Sequence, residues 1–378
     1  MRFVVVSLLL VMFTQHAWAQ HEGIFDDIEI WQSDYIANGM VQDRFHDQVF
    51  LSMDAQSSSP LYRTLGVINT QSRELIQAIP LPYEGDVVGS SGNLDRIYIS
   101  VRNQLSFLHY DTHTQVATEL REIDPVNVVL FQPSPDDEHA VIAVKIDGGG
   151  TRSHRIYDDT GVIGGSSSVG SDAFVFIDDD LLFTGTDNSG TTTRLLSFED
   201  NRFLTDRSIN GVRVSTRVKH FGGRIYDQRG HVIDAATLYL LGTLPGVSGT
   251  IEVMPELGIA YVHMDGELVA YDTDRFLEID RIRIPQMSGD SMELFAIGKD
   301  QLGYLNASGR FGVISGIPVT APCRADYTGD GQVGPDDVTR FLSVLTLQRY
   351  NADLDLNGQW DARDLAIFIA RYLEGCPS

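Results

Sequence analysis

Cysteine is nearly absent from this chain: its 378 residues carry two, Cys323 and Cys376, so neither a disulfide-dense scaffold nor a four-thiolate metal centre can be built. Lysine is almost as scarce, with only Lys145, Lys219 and Lys299. Asp and Glu number 52 against 28 Lys and Arg, a net charge of −24. A surface that acidic repels phosphate backbones and anionic lipid, so nucleic acid is not an expected partner. No stretch after the first twenty residues reaches eighteen apolar residues, and membrane insertion of the mature chain is not expected. The common motifs of catalysis are missing as well: there is no His-Glu-x-x-His pair, no Gly-x-Ser-x-Gly elbow and no Walker A loop. No residue is assigned as catalytic or cofactor-binding on this basis.

What is present falls into four parts. Arg2, an apolar run from Phe3 to Phe13 and Ala17-Trp18-Ala19 before Gln20 predict a signal peptide over 1–19. The protein is then exported, to the extracellular space, the cell surface or the periplasm. From 20 to 319 there is no helical periodicity, only short runs rich in Val, Ile, Phe, Tyr and Thr between Gly, Asp, Asn and Ser turns, which is all-β patterning. Apolar strand centres at Phe50, Tyr98, Ile142, Phe183, Tyr226, Tyr261 and Tyr304 recur every 35–48 residues. Four short strands fit in each interval, the period of a propeller blade. Asp at the end of a third strand can hydrogen-bond the turn two residues on, as Asp234-Ala-Ala-Thr237 and Asp272-Thr273 suggest. These units resemble the YVTN, WD-like and quinoprotein-like seven-bladed β-propellers, with six to eight blades compatible with the pattern. Residues 21–40, including Trp31, are expected to supply the outer strand that closes the ring. Within this part His109, His139, His263, Asp178-Asp179-Asp180 and Gly148-Gly149-Gly150 read as packing or turn residues in preference to ligands.

After a linker at 320–322, the segment 323–378 holds two acidic loops twenty-seven positions apart. A calcium-sized ion takes six to eight oxygens, which a twelve-residue loop supplies from positions 1, 3, 5, 7, 9 and 12 around a glycine at position 6. In the first loop these are Asp326, Thr328, Asp330, the Gln332 carbonyl and Asp337, with Gly331 at the turn. In the second they are Asp353, Asp355, Asn357, the Gln359 carbonyl, Asp361 and Asp364. The cofactor expected is calcium, two ions. Each loop leads into a helix with matching apolar positions, Val338, Phe341, Leu342 and Leu345, then Leu365, Phe368, Ile369 and Tyr372. No helix precedes either loop, so these are EF-hand-like half units.

The duplicated loop, matched helices and bracketing cysteines resemble a dockerin of the GC type, Cys376 lying in Glu-Gly-Cys-Pro. The resemblance implies a calcium-dependent docking module, a Cys323–Cys376 disulfide in an oxidising compartment, a cohesin-like or other surface protein as partner, and a link to polysaccharide systems. Positions 10 and 11 read Pro335-Asp336 and Ala362-Arg363, in place of the hydroxyl pair that cellulosomal dockerins carry for cohesin. The fold class expected is mainly β, a seven-bladed propeller followed by a small α-helical calcium-binding domain, monomeric and folding as two independent units. Three functions remain open: an interaction protein docked through its tail, a lactonase-like or carbohydrate-active propeller enzyme with a channel metal or cofactor, and a surface protein whose tail is a stapled cap.

Overall fold

The computed structural model describes residues 28–375 apart from 44–46, 55–60, 82–84, 91–95, 102–103, 112–115, 125–127, 134–140, 147–151, 159–160, 163–172, 179–180, 186–191, 200–201, 256, 288–290, 298–299, 318–324, 328–332, 347–351, 353 and 355–360. The strands run in fours along the chain. The first four are β1 (Glu29–Asp43), β2 (Gln48–Met53), β3 (Thr64–Asn69) and β4 (Leu75–Pro80). Next come β5 (Gly85–Ser90), β6 (Arg96–Val101), β7 (Gln104–Asp111) and β8 (Val116–Asp124), then β9 (Val128–Pro133), β10 (Val141–Ile146), β11 (Arg152–Asp158) and β12 (Gly161–Val162). These are followed by β13 (Ala173–Phe176), β14 (Leu181–Gly185), β15 (Thr192–Glu199) and β16 (Arg202–Asn210), and by β17 (Val218–Phe221), β18 (Arg224–Asp227), β19 (His231–Asp234) and β20 (Leu240–Thr243). The series ends with β21 (Thr250–Met254), β22 (Ile259–Met264), β23 (Glu267–Asp272) and β24 (Leu277–Arg283), then β25 (Ser291–Ala296), β26 (Gln301–Asn306) and β27 (Arg310–Ser315). Among the described residues every pairing is antiparallel, and each joins neighbours in sequence except that of β1 with β27.

That exception joins the ends. The first half of β1 pairs with β27, Glu29 opposite Ser315 and Gln32 opposite Gly312, while its second half pairs with β2, Ala37 opposite Met53 and Asp43 opposite Gln48. Of the outer closing strand expected at 21–40, the stretch Glu29–Ile36 pairs with β27 and continues into the first strand of the next sheet, while 21–27 lie outside the described residues. Trp31 packs edge-on against Phe311, with ring centroids 6.0 Å apart, so it is a packing residue of this closure.

First strands of successive sheets are neighbours, β1 with β5, β5 with β9, β13 with β17, β17 with β21 and β21 with β25. Each of the seven aromatic or apolar centres picked from the sequence lies on the second strand of its group. Second strands such as β2 and β22 are buried at every residue, whereas the fourth strands β16 and β24 are largely exposed. Continuous burial without alternation arises when both faces of a strand are covered, here by the sheets on either side. The core accordingly sits between sheets: Tyr226 and Val232 of one pack with Ile251, Val262 and Tyr271 of the next.

Turn chemistry repeats with the sheets. Asn69, Asp234 and Asp272 each end a third strand and accept backbone N–H groups two or three residues on, at 2.6–3.0 Å. Four residues after each, Arg73, Leu238 and Phe276 have φ of 64°, 65° and 56° and donate their N–H to the carbonyl of the same Asn or Asp. One turn type thus recurs in three sheets. The Asp-x-x-Thr reading holds at Asp234, whose Oδ1 accepts from both Thr237 N and Oγ1.

The tail contributes α1 (Pro335–Thr346) and α2 (Ala362–Glu374), with Pro335 in the first turn where its missing N–H costs nothing. Their shared face is narrower than the expected stripe. Phe341, Val344 and Phe368 are buried with Tyr327 and Ala352, but Leu342 and Ile369 are exposed. Two short helices meeting on one seam can cover only the central row of each stripe. Among the described residues no helix is long and apolar enough to cross a membrane.

Gly309 tests the closure. At φ 73° its carbonyl accepts Ala37 N at 2.7 Å, and an added Cβ would lie 2.6 Å from the Ala37 carbonyl oxygen. Gly309→Ala should lower stability by about 1–3 kcal/mol in denaturant titration. Gly222→Ala, at φ 56° with nothing within 4 Å, should cost less than Gly309→Ala, since it incurs the left-handed backbone strain, about 1 kcal/mol, without a clash.

Candidate functional site

Two places concentrate buried charge: the bases of the tail loops, and the row of first strands. In the tail, Asp337 and Asp364 stand at loop position 12 and are 1% and 0% exposed. Each falls in the first turn of its helix and turns its carboxylate back into its own loop. Asp337 Oδ2 accepts Gly334 N at 2.8 Å; Asp364 Oδ2 accepts Asp361 N at 2.9 Å and its Oδ1 accepts Leu354 N at 2.6 Å. Gly334 and Asp361 are both position 9, so the two loops repeat the same bond at the same offset. A carboxylate is favoured here by the unpaired N–H groups and positive end of the helix. Asp361 caps α2, its Oδ1 taking Arg363 N at 2.7 Å. Asp326 is buried.

The two halves meet face to face. Phe341 and Phe368, also twenty-seven apart, stack with centroids 4.1 Å apart and an interplanar angle of 5°. Equivalent residues stacking on each other is what a two-fold axis between the loops produces. Of the eleven predicted donors, Asp326, Asp337, Asp361 and Asp364 are described, and Thr328, Asp330, Gln332, Asp353, Asp355, Asn357 and Gln359 lie outside the described residues, as do Cys323 and Cys376. Among the described residues no three His, Cys, Asp or Glu side chains converge in a metal-ligating group. The donors on view are of the chemical type a hard cation takes, carboxylate oxygens with two acceptor sites each.

The second place was not legible from sequence. Lys219 on β17 donates to Glu252 Oε2 of β21 and to the Leu294 carbonyl of β25, the latter at 2.6 Å. Glu252 Oε1 in turn accepts Ala296 N at 3.1 Å. One lysine and one glutamate therefore tie three adjacent first strands together. Beside them Glu293, half-buried on β25, is pushed up to about 7 by burial, with Arg217 and Lys219 opposing the shift. His220, next to Lys219, is held below its ordinary pKa by burial, with Asp178 acting in the opposite sense. Lys219 was the available signal, one of three lysines in an acidic chain, but its partners lie 33 and 75 residues away.

The other candidates are packing residues or lie elsewhere. His263 is 1% exposed in β22, and His109 falls in β7. His139, Gly148-Gly149-Gly150, Asp179 and Asp180 are outside the described residues. Asp178 is exposed.

No family model matches the chain, and no curated protein matches it significantly. Its architecture is shared with solved structures. A WD40-propeller chain in the crystal structure of a mitotic checkpoint complex aligns with a TM-score of 0.56 and 12% identity, over 83% of this chain and 98% of that one. In all, 1385 solved chains match significantly, and likeness at 12% identity concerns fold alone. The protein is mainly β, with a propeller-like fold.

Glu293 yields a pH prediction. Its folded pKa of about 7 exceeds the ordinary 4.5, so the native state binds the extra proton and stability falls as pH rises from 4.5 to about 7, then levels off. Glu293→Gln should flatten that part of the profile and be the more stable form above pH 7 in urea titrations.

Proposed function

We propose that the protein is an exported binding protein, a seven-bladed β-propeller that presents a ligand surface and is docked through a calcium-loaded, dockerin-like tail. Support for seven blades comes from seven second-strand centres and from a first strand shared between the first and last sheets, which leaves four strands to every blade. Support for the tail reading rests on one observation: Phe341 on Phe368, and Asp337 matched by Asp364, at the same offset that separates the two acidic loops. In this reading Asp326, Thr328, Asp330, Gln332 and Asp337 hold one ion, and Asp353, Asp355, Asn357, Gln359, Asp361 and Asp364 the other. Calcium supplies positive charge at the centre of each loop. The chain's own groups do the rest, the position-12 carboxylates anchoring each loop to its helix and the Phe pair joining the halves. A Cys323–Cys376 bridge would close the unit, and its partner is a cohesin-like or other surface protein, in a setting that handles polysaccharide.

An enzymatic reading has one observation in its favour, the Glu293 carboxyl poised near neutrality on a first strand. The groups that act on its ionisation are the cations Arg217 and Lys219, and Lys219 is shared with the Glu252 carboxylate. Binding is the better supported function.

Calorimetric titration of the full chain should register two calcium ions. Asp330→Ala should remove one binding event and Asp355→Ala the other, and each variant should lower the melting temperature gained on adding calcium. Absence of calcium binding to the unaltered protein would overturn the tail reading.

A further inference from the structure

The tail rests against the propeller at a built polar seam. Asp274, in the turn between β23 and β24, sits between two arginines from different elements. Its Oδ1 is 3.4 Å from Arg224 Nη2 of β18, and its Oδ2 is 4.0 Å from Arg371 Nη1 of α2. The turn is held in place before the tail is considered. Arg224 Nη1 donates to the Thr273 carbonyl at 2.6 Å, Asp272 Oδ1 accepts Asp274 N and Arg275 N, and Asp272 Oδ2 takes the Arg275 guanidinium at 2.8 and 2.9 Å. One guanidinium nitrogen of Arg275, Nη1, is buried with no hydrogen-bond partner among the described residues.

On the tail side, Tyr327 packs in the core that supports α2. Its ring packs edge-on against Phe341 and Phe368, with centroids 5.2 and 5.5 Å away, and it is 5% exposed. Burial raises its hydroxyl pKa above the ordinary value, while Arg371, Asp274, Arg275 and Asp272 all act on that hydroxyl. The Tyr327 ring thus belongs to the core built by α1 and by α2, the helix that carries Arg371. In the chain Tyr327 stands between Asp326 and Thr328, the first and third positions of the first acidic loop.

We propose that the turn Asp272–Arg275 is the docking surface for the protein's own C-terminal unit, and that loading of the first loop with a divalent cation tightens this contact through Tyr327. The second half of the statement rests on the calcium reading above; the first half does not. The tail is then a seated element whose loading state is transmitted to the propeller, and the independent unfolding expected from the sequence gives way to coupled unfolding.

Scanning calorimetry of the full chain separates the possibilities. With calcium in place of chelator, the larger transition should rise along with the smaller one, by about 2–4 °C, the shift that a modest contact produces in a domain of this size. In Arg371→Glu the smaller transition should still respond to calcium while the larger no longer does. Asp274→Asn, which keeps an acceptor for Arg224 and removes the charge, should give the same loss from the propeller side. Arg371→Lys should preserve the response. If calcium moves only the smaller transition of the unaltered protein, the coupling is wrong and the calcium reading stands. If calcium moves neither, the calcium reading fails, and the seam alone is judged in chelator: a larger transition identical in the unaltered protein and Arg371→Glu overturns the docking surface too.

Discussion

Everything in the large part of the molecule depends on one strand serving two sheets. Sheets arranged around an axis leave the first and last with exposed edges, and unpaired backbone groups at such edges are both costly and adhesive. β1 removes the problem by pairing with β27 along its first half and with β2 along its second. The switch falls where the β27 register shifts between Gln32 and Ile36, and side-chain and backbone bonds hold it there, Ser33 Oγ on the Phe311 carbonyl at 3.0 Å and Ala37 N on the Gly309 carbonyl at 2.7 Å. These contacts span more than 270 residues, so they form only when all intervening sheets are in place. The packing of sheet on sheet therefore becomes cooperative, and the first strands, with Lys219, Glu252 and Glu293 on them, are brought together as a consequence.

The strongly acidic composition then acquires a structural meaning. With few cations available, several of the described ones stand at seams between elements. Lys219 joins β17 to β21 and β25, Arg224 joins β18 to the β23–β24 turn, Arg371 brings α2 to that same turn, and Arg73 takes both oxygens of Glu29 at the start of β1. Exposed pairs of this kind contribute little to stability, on the order of 0–1 kcal/mol each. The more enclosed ones act differently: Glu252 and Asp272 are almost wholly buried, and a buried carboxylate that loses its cation is left uncompensated. Such pairs fix which strand sits beside which, while the apolar clusters between sheets supply the driving force.

Legibility in the sequence followed the range of the interaction. Strand positions were readable because apolar runs and turn residues are local; each second-strand centre, the Asp234 corner and the first-turn position of Pro335 depend on fewer than ten consecutive residues. The closing strand could be anticipated because a ring needs one. The Lys219 staple could not, since strands distant in sequence carry its partners and nothing in their composition marks them as neighbours. The helix faces were half readable: periodicity named Phe341 and Phe368, but only the packing of one half on the other decides that Val344 is covered and Leu342 is not. The tail's seat on Asp274 was invisible for the same reason as the staple, since a charge on a turn has no sequence signature until its partner arrives.

The tail shows why cation loading and docking belong together. Asp353, Asp355, Asp361 and Asp364 fall within twelve residues, and like charges that close repel unless a counter-charge stands between them. Asp364 and Asp361 are both compensated in part by N–H groups at the start of α2, Asp364 by Asp361 N and Asp361 by Arg363 N. A unit of about 55 residues also has too little apolar surface to absorb the repulsion through its own core. On the calcium reading proposed above, a divalent ion within the loop would offset this repulsion, and Arg371 adds a cation at the seam with the propeller. Tyr327 lies between the first two donor positions of the first loop and packs against Phe341 and Phe368. In the coupling proposed above, an ion held by the first loop would fix the backbone of Tyr327, and the entropy of ordering that residue would be lost once for the ion and for the contact with the turn.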